Sequence, residues 1–309
     1  MNRRSILRGL ALGAVAVPAA VLLEGTAQAA QYSVAATEQV ANKVYVWPKG
    51  KALTVANRQW SFSPGGGAWA NLSDVRLRNT AAHGYVVLVA ASGGRVGIVD
   101  HTSETDAEGN DLLWSAAPGG NPHAVERIEG NGSIVAASSG GFLSLYSPTA
   151  VSKPSTLALV KTYSLPGAHG VLWDPSMKVL WAIGDGTIRW YKVTGSYRST
   201  RLSQAGSKSF SGLGHDLQPD YQNKGKLLFT ASHGTYQFDT ASKAITRLST
   251  ETRVKALVRH SSGEVLSVRA DDTGARTWGS PTLRFSDSAD RTRSGAEFYK
   301  ARIWTPAYE

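Results

Sequence analysis

The chain contains no cysteine. That absence excludes a disulfide framework, a thiolate metal site and a lipid-modified cysteine anchor. Long apolar runs are missing as well: the one apolar stretch, Leu10 to Leu23, is too short to cross a bilayer. No Walker loop, dinucleotide fingerprint, HExxH helix, nucleophile elbow or EF-hand ligand run is present, so the commonest nucleotide, zinc-protease and serine-hydrolase chemistries have no foothold. Helical amphipathic periods, coiled-coil heptads and low-complexity tails are also lacking. Acidic residues are in short supply, with 23 Asp and Glu against 33 Lys and Arg.

The apolar stretch has a reading of its own. Arg3 and Arg4 stand in Asn-Arg-Arg-Ser-Ile-Leu-Arg ahead of it, and Ala27-Gln28-Ala29 follows with small residues at cleavage spacing. This is the pattern of a twin-arginine export signal over 1–29, leaving 30–309 as one domain. The expectation is a secreted, extracellular, monomeric protein with no membrane contact after cleavage. After residue 30 the chain keeps 30 basic and 22 acidic residues, a net charge of +8. Such a balance favours an anionic partner, an acidic polysaccharide, cell-wall polymer or nucleic acid; of these an acidic glycan is expected and nucleic acid is not.

A histidine recurs at a fixed interval. His123, His169 and His215 are 46 residues apart, each after a glycine-rich approach. Periods of this length mark propellers and solenoids. Strand content decides for the propeller. Tyr85–Asp100, Ser133–Tyr146, Val179–Tyr191 and Leu227–Asp239 align as hairpins, each a β-branched or aromatic strand, a Gly, Asp or Ser turn, and an alternating strand. A diverged copy runs from Val265 through Trp278 to Phe285. A sixth is divided between the chain ends, with Tyr32–Trp47 supplying a hairpin and Tyr299–Trp304 the strand it lacks. The fold expected is all-β, a six-bladed β-propeller closed by pairing of N- and C-terminal segments; seven blades would need a unit that is not there. Outer strands are expected at Trp60–Phe62, Leu112–Trp114, Lys161–Leu165, Ser209–Ser211 and Ala244–Leu248, with 101–111, 147–157, 271–281 and 286–297 as polar surface insertions.

Counting back from each second strand gives the station at which each innermost strand begins. His123 to Ala136, His169 to Ala182 and Lys255 to Val268 are all 13 residues, His215 to Thr230 is 15, and Arg76 to Ala90 is 14. Lys300 matches Lys255. The inferred ring at one channel mouth is Lys300, Arg76 or Asp74, His123, His169, His215 and Lys255. Three adjacent imidazoles, with Asp74 or water, form a ligand set for a divalent metal. Alternatively one histidine, His169 at the middle station, acts as a general base. Lys255, Lys300 and Arg76 would then hold a carboxylate, with Asp216 and Gln218 flanking His215 as further substrate contacts.

Ala91-Ser92-Gly93-Gly94, Gly119-Gly120-Asn121-Pro122-His123, Leu165-Pro166-Gly167-Ala168-His169-Gly170, His215-Asp216-Leu217-Gln218-Pro219 and Phe298-Tyr299-Lys300-Ala301-Arg302 resemble a secreted actinobacterial propeller family known only as a domain of unknown function. The resemblance covers nearly the whole chain after the signal and implies the fold, but it carries no activity. In architecture and ring chemistry the chain is also similar to propeller-type polysaccharide lyases, without a shared motif. The expectation is a protein acting on an acidic, uronate-containing poly- or oligosaccharide, by β-elimination or hydrolysis; the alternative is a non-catalytic glycan- or wall-binding propeller. Lactonase-type hydrolysis fits less well, because those channel metals are held by carboxylates and amides.

Overall fold

The computed structural model of the protein describes residues 31–101 and 105–309; the export signal expected over 1–29 lies outside the described residues. The chain opens with β1 (Ser33–Glu38), β2 (Lys43–Pro48) and β3 (Trp60–Ser63). Next come β4 (Leu72–Thr80), β5 (Gly84–Ala91), β6 (Arg95–Asp100), the short β7 (Asp106–Glu108) and β8 (Leu112–Ala116). A third set is β9 (Pro122–Arg127), β10 (Ile134–Ser138), β11 (Phe142–Ser147) and β12 (Ala158–Ser164). It is followed by β13 (Gly170–Asp174), β14 (Val179–Ile183), β15 (Asp185–Thr194), the long β16 (Arg201–Pro219), β17 (Lys226–Ala231), β18 (Gly234–Asp239) and β19 (Ile245–Ser249). The chain ends with β20 (Val254–Arg259), β21 (Val265–Arg269), β22 (Thr282–Phe285), β23 (Arg291–Thr292) and β24 (Phe298–Ile303).

These strands form five sheets, ordered β24-β1-β2-β3-β7, β4-β5-β6-β8, β9 to β12, β13 to β19, and β20 to β23. The last strand does pair with the first hairpin: β24 runs antiparallel to β1, with Ala301 opposite Ala36 and Ile303 opposite Val34. Three expectations need correction. The stretch 286–297 is not only an insertion: its β23 pairs with β22 as the outer strand of the β20 to β23 sheet. Residues 209–211 are not a separate outer strand. They lie inside β16, whose first half pairs with β15 and whose second half pairs with β17, so one unbroken strand belongs to two successive units. Nor is 101–111 only an insertion. Its β7 adds to β3 in parallel, and Asp106 there accepts from Ser61 Oγ at 2.5 Å and from Arg58 Nε at 2.8 Å.

Period-two patterning explains why the sheets stack. In β5, Val87, Val89 and Ala91 pack with Val44, Val46, Trp60 and Phe62 of the first sheet. The intervening Val86, Leu88 and Ala90 pack with Val125, Ile134 and Ala136 of the third. Successive side chains of a strand point to opposite faces, so a run that is apolar throughout is a strand buried on both sides. β14 repeats the pattern, with Leu180 and Ala182 in one cluster and Val179, Trp181 and Ile183 in the next. The first strands of the units also touch in order: β4 against β9, β9 against β13, β13 against β16, β16 against β20, β20 against β24 and β24 against β4.

The Gly-Gly turns fix the inter-unit loops. Gly94 and Gly141 have φ of 118° and 103°, which an L side chain adopts only with strain. A Cβ on Gly140 would sit 2.9 Å from Gly120 Cα, and one on Gly93 2.9 Å from Ala70 N. The close approach lets Gly140 N donate to Gly120 O at 2.7 Å and Gly93 N to Ala70 O at 2.8 Å, holding the loops that lead into β9 and β4.

Phe298, Ala301 and Ile303 of β24 share a core with Trp47, Val258, Leu266 and Leu283. Deleting residues 298–309 should therefore expose that core and abolish a single cooperative unfolding transition, as followed by thermal circular dichroism. An unchanged melting curve would contradict the part given to this pairing.

Candidate functional site

A cavity of about 370 Å³ opens where the first strands begin, lined by Gln39, Asn71, Ser92, Asn121, His123, His169, His215, Lys255, Trp278 and Tyr299. The three histidines thus converge as the repeat spacing predicts. Local geometry brings them there. The pairing registers of β4, β9, β16 and β20 slip by one residue at Ser73, His123, His215 and Lys255. Such bulges re-aim a side chain away from the regular alternation. In β13 the same station precedes the first paired residue, and His169 N donates to Ile183 O at 2.9 Å. Two residues before four of these stations the backbone is left-handed, at Asn71 (φ 57°), Asn121 (63°), Gly167 (60°) and Arg253 (66°).

This register corrects the inferred ring. The β4 member is Ser73, whose Oγ donates to Pro122 O at 2.7 Å, and neither Arg76 nor Asp74 lines the cavity. In β24 both Tyr299 and Lys300 lie opposite Thr37, but Tyr299 faces the cavity and Lys300 points beneath it. Adjacent strand residues face opposite ways, so a count uncertain by one residue exchanges them. Lys300 is fully buried, its ammonium donating to Lys255 O at 2.7 Å and to His215 O, with Asp216 Oδ1 at 3.3 Å.

Asp216, Gln218 and Arg76, expected as substrate contacts, are also buried below the cavity floor. Arg302 Nη2 donates to Asp74 Oδ1 at 2.6 Å and Asp216 Oδ1 at 2.9 Å, joining β24 to β4 and β16. Each carboxylate takes a second bond from a following first strand: Val125 N to Asp74 at 3.2 Å and Leu257 N to Asp216 at 3.1 Å. Arg76 reaches across to Val171 O at 3.1 Å and to Gln218 Oε1 at 3.2 Å. Deeper still, Arg78 pairs with Glu126 at 2.6 Å and stacks on Tyr308 at 4.2 Å. Burial opposes ionisation of Asp216, but Arg302 and Lys300 outweigh it and hold the carboxyl at about 2.

Above this charged layer the side chains are nearly neutral. The His123 and His169 rings stack at 4.3 Å and 13°, and His169 meets His215 edge-on at 5.4 Å. His169 Nδ1 lies 2.7 Å from Gly167 O; a carbonyl can only accept, so the proton is on Nδ1 and Nε2 keeps its lone pair. The Tyr299 hydroxyl is 3.2 Å from His123 Nδ1, and Lys255 Nζ is 3.5 Å from His215 Nε2. Desolvation, with Lys255 and Lys300 nearby, lowers His169 to about 4 and His215 to about 2, and His123 falls well below the ordinary histidine range for the same reasons. Burial, then Arg253, lowers Lys255 to about 8. Burial first, then Asp216, raises Tyr299 and keeps it protonated.

The metal alternative does not fit these positions. Among the described residues no three His, Asp or Glu side chains are grouped to hold a cation. Parallel stacked rings do not aim their lone pairs at one point, and Asp74 is taken up by Arg302. Sequence reasoning missed Gln39, Asn71, Ser92, Asn121 and Trp278. Asn71 and Asn121 carried a signal, an Asn two residues before each station, where this residue tolerates left-handed backbone. Trp278 carried none: it comes from the 271–281 loop, is 45% exposed, and its Nε1 donates to Gln39 Oε1 at 2.9 Å.

Buried neutral histidines make the fold acid-sensitive. The unfolded chain binds a proton at His169 near pH 6.5, whereas the folded protein resists until about 4. Between those values the unfolded state binds more protons, so stability falls as pH falls. Denaturant unfolding of wild type should lose on the order of 3 kcal/mol per such ring from pH 6.5 to 4. The Asp216 contribution is lost next, between about 4 and 2. His169→Gln should flatten the upper part of the profile; a wild-type profile flat from pH 7 to 4 would contradict the neutral assignment.

Comparisons with known proteins agree with the fold and are silent on chemistry. No curated protein matches the sequence. The crystal structure of the WD40 beta propeller domain of Doa1 is similar, with a TM-score of 0.55 at 12% identity over 87% of this chain and 82% of that one. Identity so low speaks for a β-propeller and nothing more. The sequence profile of the family of unknown function DUF6528 matches residues 13–303, and the chain belongs to that family.

Proposed function

We propose that the four-stranded units close as six blades, with β24, β1, β2 and β3 forming the blade shared between the chain ends, and that the exported protein acts on an acidic, uronate-containing oligosaccharide at the mouth of its channel. One observation carries this reading. Among the described residues lining the cavity there is a lysine and no Asp or Glu, so the site offers positive charge and neutral hydrogen-bonding groups to an incoming anion. A cavity of about 370 Å³ is of small-molecule size, which suits a short oligosaccharide or a chain end. The exposed Trp278 face at the rim is a flat apolar platform for a sugar ring.

The chemistry proposed is β-elimination without a metal. Lys255 binds the uronate carboxylate, and its charge makes the adjacent C–H more acidic. His169 Nε2 takes that proton. The C–H electrons form the carbon–carbon double bond, and the glycosidic carbon–oxygen bond breaks. Tyr299, hydrogen-bonded to His123, gives its proton to the departing oxygen, which leaves as a hydroxyl. The proton taken up by His169 passes to solvent and back to Tyr299 after release. A base that titrates at about 4 is weak, but a carboxylate bound beside it offsets the lysine charges that help to lower it, so the substrate strengthens its own base. The same geometry also serves a non-catalytic reading, in which Trp278 and the neutral imidazoles only bind the sugar.

Incubation with galacturonate or glucuronate oligosaccharides should release an unsaturated uronate that absorbs in the ultraviolet. His169→Ala should lower kcat by about 10²–10⁴-fold. Lys255→Gln should raise KM by about ten- to a hundredfold through the lost charge-assisted contact, and should also lower kcat, because the charge that acidifies the C–H is gone. Salt-sensitive binding of these sugars with no cleavage would overturn the enzyme reading in favour of the binding one.

A further inference from the structure

The positive charge of the chain is not evenly spread. Residues 151–210 carry eight Lys and Arg against two Asp, while the whole chain after residue 30 has 30 basic and 22 acidic residues. Most of the excess therefore lies on one flank, formed by β12, the β15–β16 hairpin and the loops beside them. Lys153, Lys161, Lys192, Arg198, Arg201 and Lys208 are all exposed. Among the described residues none of these six is within ion-pair distance of a carboxylate, whereas Lys226, Arg253, Arg259, Arg269 and Arg284 in the following units all are. Of the two acidic residues, Asp174 is turned inward and bonded to Ser176, Met177 N and Trp181 Nε1. It does not offset the surface charge.

Pairing makes the flank contiguous. Lys192 lies opposite Ser203, Thr194 opposite Arg201 and Ile188 opposite Lys208. Arg198 donates to Ser147 O and Thr156 O of the neighbouring unit, beside Lys153, and Arg201 Nη1 donates to Arg198 O at 3.1 Å. These bonds go to neutral carbonyls, so they fix the guanidinium groups without cancelling their charge. Residues between the basic side chains are mainly hydroxyl and amide groups, including exposed Thr162, Ser203, Gln204 and Ser207. A surface for single-stranded nucleic acid interleaves its basic groups with open aromatic platforms; in this flank Tyr197, 39% exposed, is the one exposed ring among the described residues. Tyr163, Trp190 and Phe210 are half-buried, and Tyr163 lies under Lys161 Nζ. Basic groups set among hydroxyls match a chain bearing both carboxylates and hydroxyls.

We propose that this flank is a docking surface for an acidic polysaccharide chain, separate from the cavity and serving to hold the polymer whose end the cavity takes. The choice of polymer rests on the acidic-saccharide reading of the cavity; the docking itself does not depend on catalysis. Unpaired charges spread along one flank act together on a polyanion long enough to span them, and their attraction weakens with salt.

The test is binding of polygalacturonate, measured by calorimetry across a salt series, for wild type, for Lys161→Gln/Lys192→Gln/Arg201→Gln/Lys208→Gln, and for Lys255→Gln. All four flank side chains are exposed, so the melting temperature should hold. The flank variant should bind the polymer at least about tenfold more weakly, with a shallower salt dependence, and should bind galacturonate monomer as wild type does. Lys255→Gln should show the reverse. Polymer affinity unchanged in the flank variant overturns the docking proposal, as does tighter binding of oligo-dT or of anionic phospholipid vesicles than of the polyuronate. Loss of monomer binding by wild type with polymer binding intact overturns the cavity reading and leaves the docking surface standing.

Discussion

Arg302 between Asp74 and Asp216 is the contact on which the rest of the structure depends. One guanidinium from the last strand ties carboxylates of β4 and β16, and each carboxylate then accepts the amide of a following first strand. Strands from all five sheets meet in one buried cluster. Its net contribution to stability is small, because desolvating the charges offsets their attraction. Removing Arg302 alone is another matter: it would leave two buried carboxylates without their main partner, at a cost of about 3–5 kcal/mol. The cluster thus specifies which strands meet more than it adds to how tightly they hold.

That cluster also sets the chemistry above it. Lys300 is anchored to Asp216 and to two backbone carbonyls, so its charge is fixed just under the histidines without entering the cavity. Together with Lys255 it disfavours further positive charge, and desolvation does the rest. Three imidazoles are therefore kept neutral and available as acceptors. A metal held by carboxylates, as in lactonase-type propellers, has no counterpart in a cavity whose described lining has no Asp or Glu.

The sequence disclosed the site where duplication had preserved residue type and hid it elsewhere. His123, His169 and Lys255 were readable because each stands 13 residues before its second-strand partner, and His215 because it keeps the 46-residue histidine interval. Ser73 occupies the equivalent bulge in β4 but resembles none of them, so the count slid to Arg76 and Asp74. Tyr299 and Lys300 are neighbours across a face reversal, and no count accurate to one residue separates them. Trp278 reaches the cavity from a loop, where no period exists to reveal it. The fold divides along the same line. Hairpins with apolar runs on both faces declared themselves. β16 did not show as one strand, because its polar, exposed middle reads as a loop between two strands, and β7 was masked by the Gly, Asp and Glu around it.

The most direct test of the account is a nitrogen-15 NMR titration of the histidine side chains, with and without a uronate oligosaccharide. In the free protein the account predicts that His169 remains the neutral Nδ1–H tautomer from pH 8 to about 5, and that the sugar raises its titration midpoint while leaving the signals of distant His83 unmoved. A free-protein midpoint near 6.5 for His169, or no response of any cavity histidine to the sugar, would contradict it.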